Sequence, residues 1–260
     1  QNSRKISMNV PILISGYGSI GRRHTSILSQ IVKKKNITVL TRQKSLKYKT
    51  INKMQESLKI NPNYIVLCNP TTDHLKKILF IEKNFKNKTI LVEKPLFHKP
   101  NNIQPKKNKY FVGYNLRFNP VIELLKKKIK SKKIWSVNIF CGSYLPNWRK
   151  NIDYRKSSSA KRKFGGGVLL DLSHELDYVQ WLFGKIKIEN CKSTKLSNLE
   201  IDTDDFLNLN CKTKSVPSIQ ITLNYFSKIA KRHIYIDGKD ISIHADLINN
   251  KVEFSSRGKR

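Results

Sequence analysis

Short apolar runs alternate with longer amphipathic stretches through the first half of the chain. Residues 10–15, 37–41, 64–67, 89–92 and 110–113 read as strands, while 19–32 and 72–84 carry the 3.6-residue spacing of helices. Ile27, Leu28, Ile31 and Val32 mark the apolar stripe of the first helix; Leu75, Ile78 and Leu79 mark that of the second. The lysine-rich stretch 44–60 reads as a poorer helix, and 96–109, with Pro100 and Pro105, leaves room for a brief one at best. This is the order of a parallel sheet with crossover helices.

After Gly113 the pattern changes. Residues 120–131 read as an amphipathic helix and 134–144 as a strand. Gly165, Gly166 and Gly167 then open a second helix that ends at Gly184, and 186–255 is a series of short alternating strands. That series predicts an open, mostly antiparallel sheet. The fold class is therefore α/β: a Rossmann domain with a parallel sheet over 1–117, then an α/β domain with a large open sheet over 118–260.

Gly16-Tyr17-Gly18-Ser19-Ile20-Gly21 follows the first strand and opens the first helix, the context that gives such a glycine pattern its meaning. Gly16 permits the turn, Gly18 lets backbone approach a pyrophosphate, and Gly21 brings helix and strand close. The N–H groups of Ser19 and Ile20 then face the phosphates. At the end of the second strand, where an acid would bind a ribose 2′-hydroxyl, stand Thr41 and Arg42. They suit a 2′-phosphate, so NADP is the expected cofactor; with Arg42 stacked on adenine, NAD is accepted too. Glu93-Lys94-Pro95 closes the strand Thr89–Val92, which puts Lys94 at the carboxyl edge of the sheet, where such folds bind ligands.

In the second helix of that later half, Asp171, His174 and Tyr178 are spaced to share one face, with Leu172, Leu176, Val179 and Phe183 opposite. Tyr114, Asn115, Arg117, Tyr144, Trp148, Arg149, Tyr154 and Arg155 form a set of aromatic, amide and guanidinium groups. Their chemistry suits a sugar carrying a carboxylate or diphosphate.

Gly16 to Gly21, Cys68-Asn69-Pro70-Thr71 with His74, Glu93-Lys94-Pro95, Gly113-Tyr114-Asn115 and the segment 165–174 occur in the order of the glucose–fructose oxidoreductase/inositol dehydrogenase family. The chain resembles that family over 8–255. It is most similar to members of bacterial surface-polysaccharide pathways, through 113–118 and 142–146. The resemblance implies a catalytic lysine at Lys94 and an aspartate and histidine at Asp171 and His174. It implies that Asn69, Pro70, Thr71, His74 and Glu93 line the cofactor, and that the reaction moves a hydride between nicotinamide and a carbinol carbon of a sugar or sugar nucleotide. His174 and Lys94 would share proton transfer, with Asp171 orienting them. Many relatives place aspartate and histidine four apart, whereas the offset here is three. Relatives also continue beyond the final strands of this chain, so a C-terminally truncated fragment is expected.

The formal net charge of +33 raises nucleic acid as a partner. The excess, however, consists of 40 Lys against 11 Arg, spread over the whole length. Base and phosphate recognition favours arginine, so a solvated surface without a specific nucleic-acid partner is expected. The four cysteines form no CxxC pair, so neither metal nor disulfide framework is expected, and no run approaches the ~18 apolar residues of a membrane span. A cytoplasmic enzyme follows, homo-oligomeric through the sheet of its second domain. The rival reading is a non-catalytic nicotinamide-nucleotide sensor or scaffold of the same fold. Residues 1–7 are polar and read as an upstream extension.

Overall fold

The structure, a computed structural model, describes residues 10–44 and 47–255. The extension expected over 1–7 and the tail after Ser255 lie outside them. The chain divides into two compact units at Gly113 and Tyr114.

In the first unit, chain order is β1 (Ile12–Ser15), α1 (Ser19–Ile31), β2 (Ile37–Leu40), β3 (Lys49–Ile51), α2 (Ser57–Ile60), β4 (Tyr64–Leu67), α3 (His74–Asn84), β5 (Thr89–Val92) and β6 (Lys109–Val112). The six strands form one sheet in the order β3-β2-β1-β4-β5-β6, every pair parallel. Every residue of β1 and β2 is buried, as parallel strands covered on both faces require. Leu13, Ile65, Leu67, Ile78 and Ile90 pack one face; Ile12, Ile14, Val32, Ile37 and Val39 pack the other. Strand order reverses between β1 and β4, the switch point where this class of sheet opens a crevice at its carboxyl ends.

Two expectations change here. The stretch 44–60 is not one helix but a third-edge strand, β3, followed by a 3-10 turn over Met54–Glu56 and the single helical turn α2. Thr41 N donates to Ile51 O at 3.0 Å, so pairing with β2 captures the segment that lysine spacing alone made helical. Of the stripe expected for α1, Val32 is buried but Ile27 and Ile31 are exposed, and the helix also buries Gly21 and Thr25. The segment 96–109 forms no helix; its end is held by Glu82 of α3, which accepts from Lys106 N, Lys107 N, Asn108 Nδ2 and Tyr110 Oη.

The second unit contains α4 (Pro120–Ile129), β7 (Ile134–Gly142), α5 (Val168–Asp171), α6 (His174–Phe183), β8 (Lys187–Thr194), β9 (Phe206–Lys212), β10 (Ser218–Asn224), β11 (Lys231–Gly238), β12 (Ile241–Asp246) and β13 (Lys251–Ser255). Asn119 caps α4, accepting from Val121 N at 2.9 Å, with Pro120 at the first helical position. The seven strands run β13-β12-β11-β7-β10-β9-β8, with β7 and β10 parallel and every other pair antiparallel. Burial alternates along β9, β10 and β12, so one face packs a core shared with α4, α5 and α6.

The helix expected from the three glycines to Gly184 is two helices. Ser173 Oγ donates to Leu170 O at 2.9 Å, and Leu172 leaves helical geometry at φ −98°, ψ 28°. A hydroxyl competing for a carbonyl at this point ends α5, and α6 restarts at His174. Glu175, wholly buried, is met by Arg232 of β11 through Nε at 2.6 Å and Nη2 at 3.2 Å, which ties the first turn of α6 to the sheet.

Candidate active site

In the first unit, the glycine turn is built as the sequence requires. Gly16 lies at φ +98°, where a side chain is strained, and its carbonyl abuts Gly21 so closely that no Cβ fits there. Gly16 N donates to Leu40 O at 3.1 Å and Cys68 N to Ser15 O at 2.8 Å, which locks the ends of β1, β2 and β4 side by side. Gly18, the N-cap of α1, supplies no side-chain hydrogen bond, and the space where its Cβ would stand is open for 4 Å. The first amides of this 13-residue helix, at Ser19 and Ile20, therefore start without a capping side chain. That is the arrangement a pyrophosphate completes.

A cavity of about 310 Å³ brings together Gly16, Leu40, Thr41, Arg42, Asn52, Met54, Asn69, Asp73 and Lys77. Four residues expected from the sequence meet here: Gly16, Thr41, Arg42 and Asn69. Two charged residues were missed, Asp73 and Lys77, one helical turn apart at the start of α3. Burial, resisted by Asp73, lowers the pKa of the Lys77 ammonium. Their spacing after Asn69-Pro70-Thr71 was the available signal. Asn69 Oδ1 is buried and makes no hydrogen bond within the chain, a fixed acceptor in the cavity wall.

His74, expected beside the cofactor, is instead a brace. Its ring nitrogens lie 3.1 Å from Asn69 O and 3.1 Å from Leu96 O, joining the turn after β4 to the turn after β5. Glu93 is met by His24 of α1, with Nε2 2.6 Å from Oε1. Half-buried Lys94 follows at the carboxyl end of β5, and the Lys94–Pro95 peptide is cis. Pro70 is exposed at the rim and Thr71 half-buried, opening the 3-10 turn Thr71–Asp73. Cys68 is no nucleophile here: burial and the Glu93 charge push its thiol to about 12.

In the second unit, Gly167 lies at φ +119° with Asp204 Oδ1 occupying the place of a side chain. Asp204 Oδ2 accepts from Leu169 N at 3.1 Å, and its carbonyl accepts from Val168 N at 3.1 Å, so Asp204 anchors the start of α5. One turn later stands Asp171, whose Oδ2 accepts from Tyr225 Oη at 2.6 Å. His174 opens α6 and meets the Tyr114 ring edge to face, centroids 5.6 Å apart at 82°. Tyr114 Oη reaches Ser173 Oγ at 3.4 Å, between the two helices. Asp171 and His174 are half-buried, whereas Tyr178 is wholly buried in the core.

The remaining expected residues do not form one cluster. Arg117 is committed to Asp177, and Arg155 is exposed between Asp153 and Glu200. Asn115 is exposed in the turn Asn115–Phe118. Tyr144 carries Lys228 Nζ 3.1 Å above its ring. Trp148, Arg149 and Tyr154 do meet, around a small depression with Leu145, Pro146 and Ser159. Trp148 also joins the aspartate, packing edge to face on Tyr225 at 5.2 Å and 89°. Tyr225 was missed because nothing in its spacing links it to a residue 54 positions earlier.

Residues 122–244 match the family described as the GFO/IDH/MocA C-terminal domain. No curated protein matches the chain in sequence. Among solved structures, it is similar to the WlbA dehydrogenase from Bordetella pertussis in complex with NADH and UDP-GlcNAcA. That pair is 15% identical with a TM-score of 0.77, covering 95% of this chain and 81% of the other. A levoglucosan dehydrogenase in complex with NADH and levoglucosan is 15% identical, with a TM-score of 0.82 over 97% and 77% of the two chains. The UDP-N-acetylglucosamine 3-dehydrogenase GnnA from Acidithiobacillus ferrooxidans is 15% identical, with a TM-score of 0.72 over 95% and 80%. Among the described residues no helix is long and apolar enough to cross a membrane, and no group of three His, Cys, Asp or Glu is placed to hold a metal.

Proposed function

We propose that this chain, which belongs to the GFO/IDH/MocA family through its second unit, is an NAD(P)-dependent oxidoreductase acting on a CH–OH group of a sugar or sugar nucleotide. The observation that carries the reading is the cavity at the carboxyl ends of β1, β2 and β4, beside an α1 terminus without a capping side chain. When bound, the nicotinamide supplies the hydride donor or acceptor.

The residues have separate tasks. Ser19 and Ile20 amides bind phosphate; Thr41 and Arg42 meet the adenosine ribose and favour its 2′-phosphorylated form; Asn69, Pro70 and Thr71 line the nucleotide. Lys94 and His174 hold or move the proton of the reacting oxygen, and Asp171 orients a substrate hydroxyl. Tyr114, Tyr144 and Trp148 give the sugar aromatic surfaces. A nucleotide sugar is supported by the UDP-linked ligand and substrate in the names of two structural relatives. A place in surface-polysaccharide synthesis is supported by the motif resemblance at 113–118 and 142–146.

A second copy covers the outer face of the second sheet. Register aligns His244, Tyr235, Asn138, Gln220 and Asn210 in one row across five strands. In a chain with 40 Lys, a row with none suits contact better than solvation.

The test is binding and turnover with the purified chain. NADPH and NADH should each raise the thermal midpoint, and at least one of UDP-N-acetylglucosamine, UDP-GlcNAcA and levoglucosan should be oxidised or its keto form reduced. No midpoint shift with either nucleotide would sink the proposal. Light scattering tests the oligomer, with a monomer as the opposing result.

A further inference from the structure

We infer that Tyr225 is a positioning residue for Asp171, supported from behind by Ser159. The assignment rests on the oxidoreductase reading above and concerns how its aspartate is held.

Tyr225 lies one residue beyond β10 and is wholly buried. Its amide donates to Asp205 O at 3.0 Å, which fixes the backbone. Trp148 fixes the ring edge to face and is itself pinned by Nε1 donating to Ser143 Oγ at 2.8 Å. Ser159 is 4% exposed; its hydroxyl acts against the rise of the Tyr225 pKa, and its carbonyl accepts from Gly167 N at 3.2 Å and Thr203 Oγ1 at 3.1 Å. The phenol is thus held by its backbone and by Trp148, and it donates to Asp171 Oδ2, 2.6 Å away.

A bond of this length to a carboxylate is charge-assisted. It sets the rotation of the Asp171 carboxyl at the end of α5, three residues before His174. Burial first, then the charges of Asp171 and Asp204, push the phenol well above its ordinary 10, so it stays a donor. A tyrosine that handled the reaction's proton would need the opposite shift. Tyr225 therefore acts through Asp171. The same loop, Ser159, also meets Gly167, so one anchor sets both the start of α5 and the hydroxyl behind its last residue.

The test compares Tyr225→Phe, Asp171→Asn and the double variant, assayed with whichever of UDP-N-acetylglucosamine, UDP-GlcNAcA or levoglucosan the parent turns over. Tyr225→Phe should lower kcat about ten- to hundredfold, the worth of a hydrogen bond to a charged group. The KM for the sugar should change less than kcat, because Tyr225 acts on the substrate only through Asp171. The cofactor Kd, read by tryptophan fluorescence, should stay unchanged, and the double variant should be no slower than Asp171→Asn alone. Should Tyr225→Phe not fold, Ser159→Ala replaces it, with a smaller fall in kcat and an unchanged cofactor Kd. Parent-like kcat in the folded variant, or losses that multiply in the double, overturn the assignment alone. A parent that binds neither nucleotide, or turns over no probe, overturns it together with the oxidoreductase reading.

Discussion

Arg117 donates to Asp177 through two parallel bonds, Nε to Oδ2 at 2.8 Å and Nη2 to Oδ1 at 2.6 Å. The aspartate side chain is 9% exposed and the arginine 41%. The pair joins the turn Asn115–Phe118 to the first turn of α6, and so sets the approach of Tyr114 to His174. Sequence made Arg117 a substrate residue; the structure makes it a tether. Arg117→Met should cost about 1–3 kcal/mol in urea unfolding, less than a fully buried pair because the arginine is partly solvated. An unchanged midpoint would return Arg117 to the substrate.

His74 gives a pH dependence with a defined sign. Burial lowers its pKa below the ordinary 6.5, against the pull of the Leu96 and Asn69 carbonyls. The folded state therefore binds fewer protons than the unfolded state below that value. Its contribution is full above pH 6.5 and declines as pH falls toward the lowered folded value. His74→Gln should flatten this part of the stability profile as pH falls below 6.5. Identical slopes in parent and variant would show that folding leaves the His74 pKa unshifted.

Arg42 lines the cavity beside Thr41. Arg42→Ala should weaken NADPH by about 1.5–3 kcal/mol, as for hydrogen bonds to a charged partner, and leave NADH nearly unchanged. Calorimetry of both nucleotides decides this. Equal losses assign the guanidinium to adenine stacking.

Lys94→Met and His174→Ala should keep cofactor binding and lower kcat at least ~10²-fold, as for a positioned acid or base. Near-normal turnover in the His174 variant would remove the imidazole from the reaction. Near-normal turnover in both would defeat the oxidoreductase mechanism proposed above.

The first unit was largely legible because its information is local. Three apolar strands, a glycine turn and the end of β2 each declare themselves within a few residues, and parallel pairing then brings their carboxyl ends together. Gly16, Thr41, Arg42 and Asn69 share a cavity for that reason. The alternating strands after 186 likewise declared an open sheet, since period two is also a local signal. What the sequence left undecided depended on partners distant along the chain. The segment 44–60 became a strand only because β2 offered an open edge. The helix after Gly167 broke at Ser173, and Tyr178, expected beside Asp171 and His174, is buried in the core. Asp204 on Leu169, Asp177 on Arg117 and Tyr225 on Asp171 are hydrogen-bond partners separated by dozens of residues. Hydrophobic periodicity specifies which face is buried; which polar group meets which across a core is decided by tertiary packing, where each buried donor must find an acceptor.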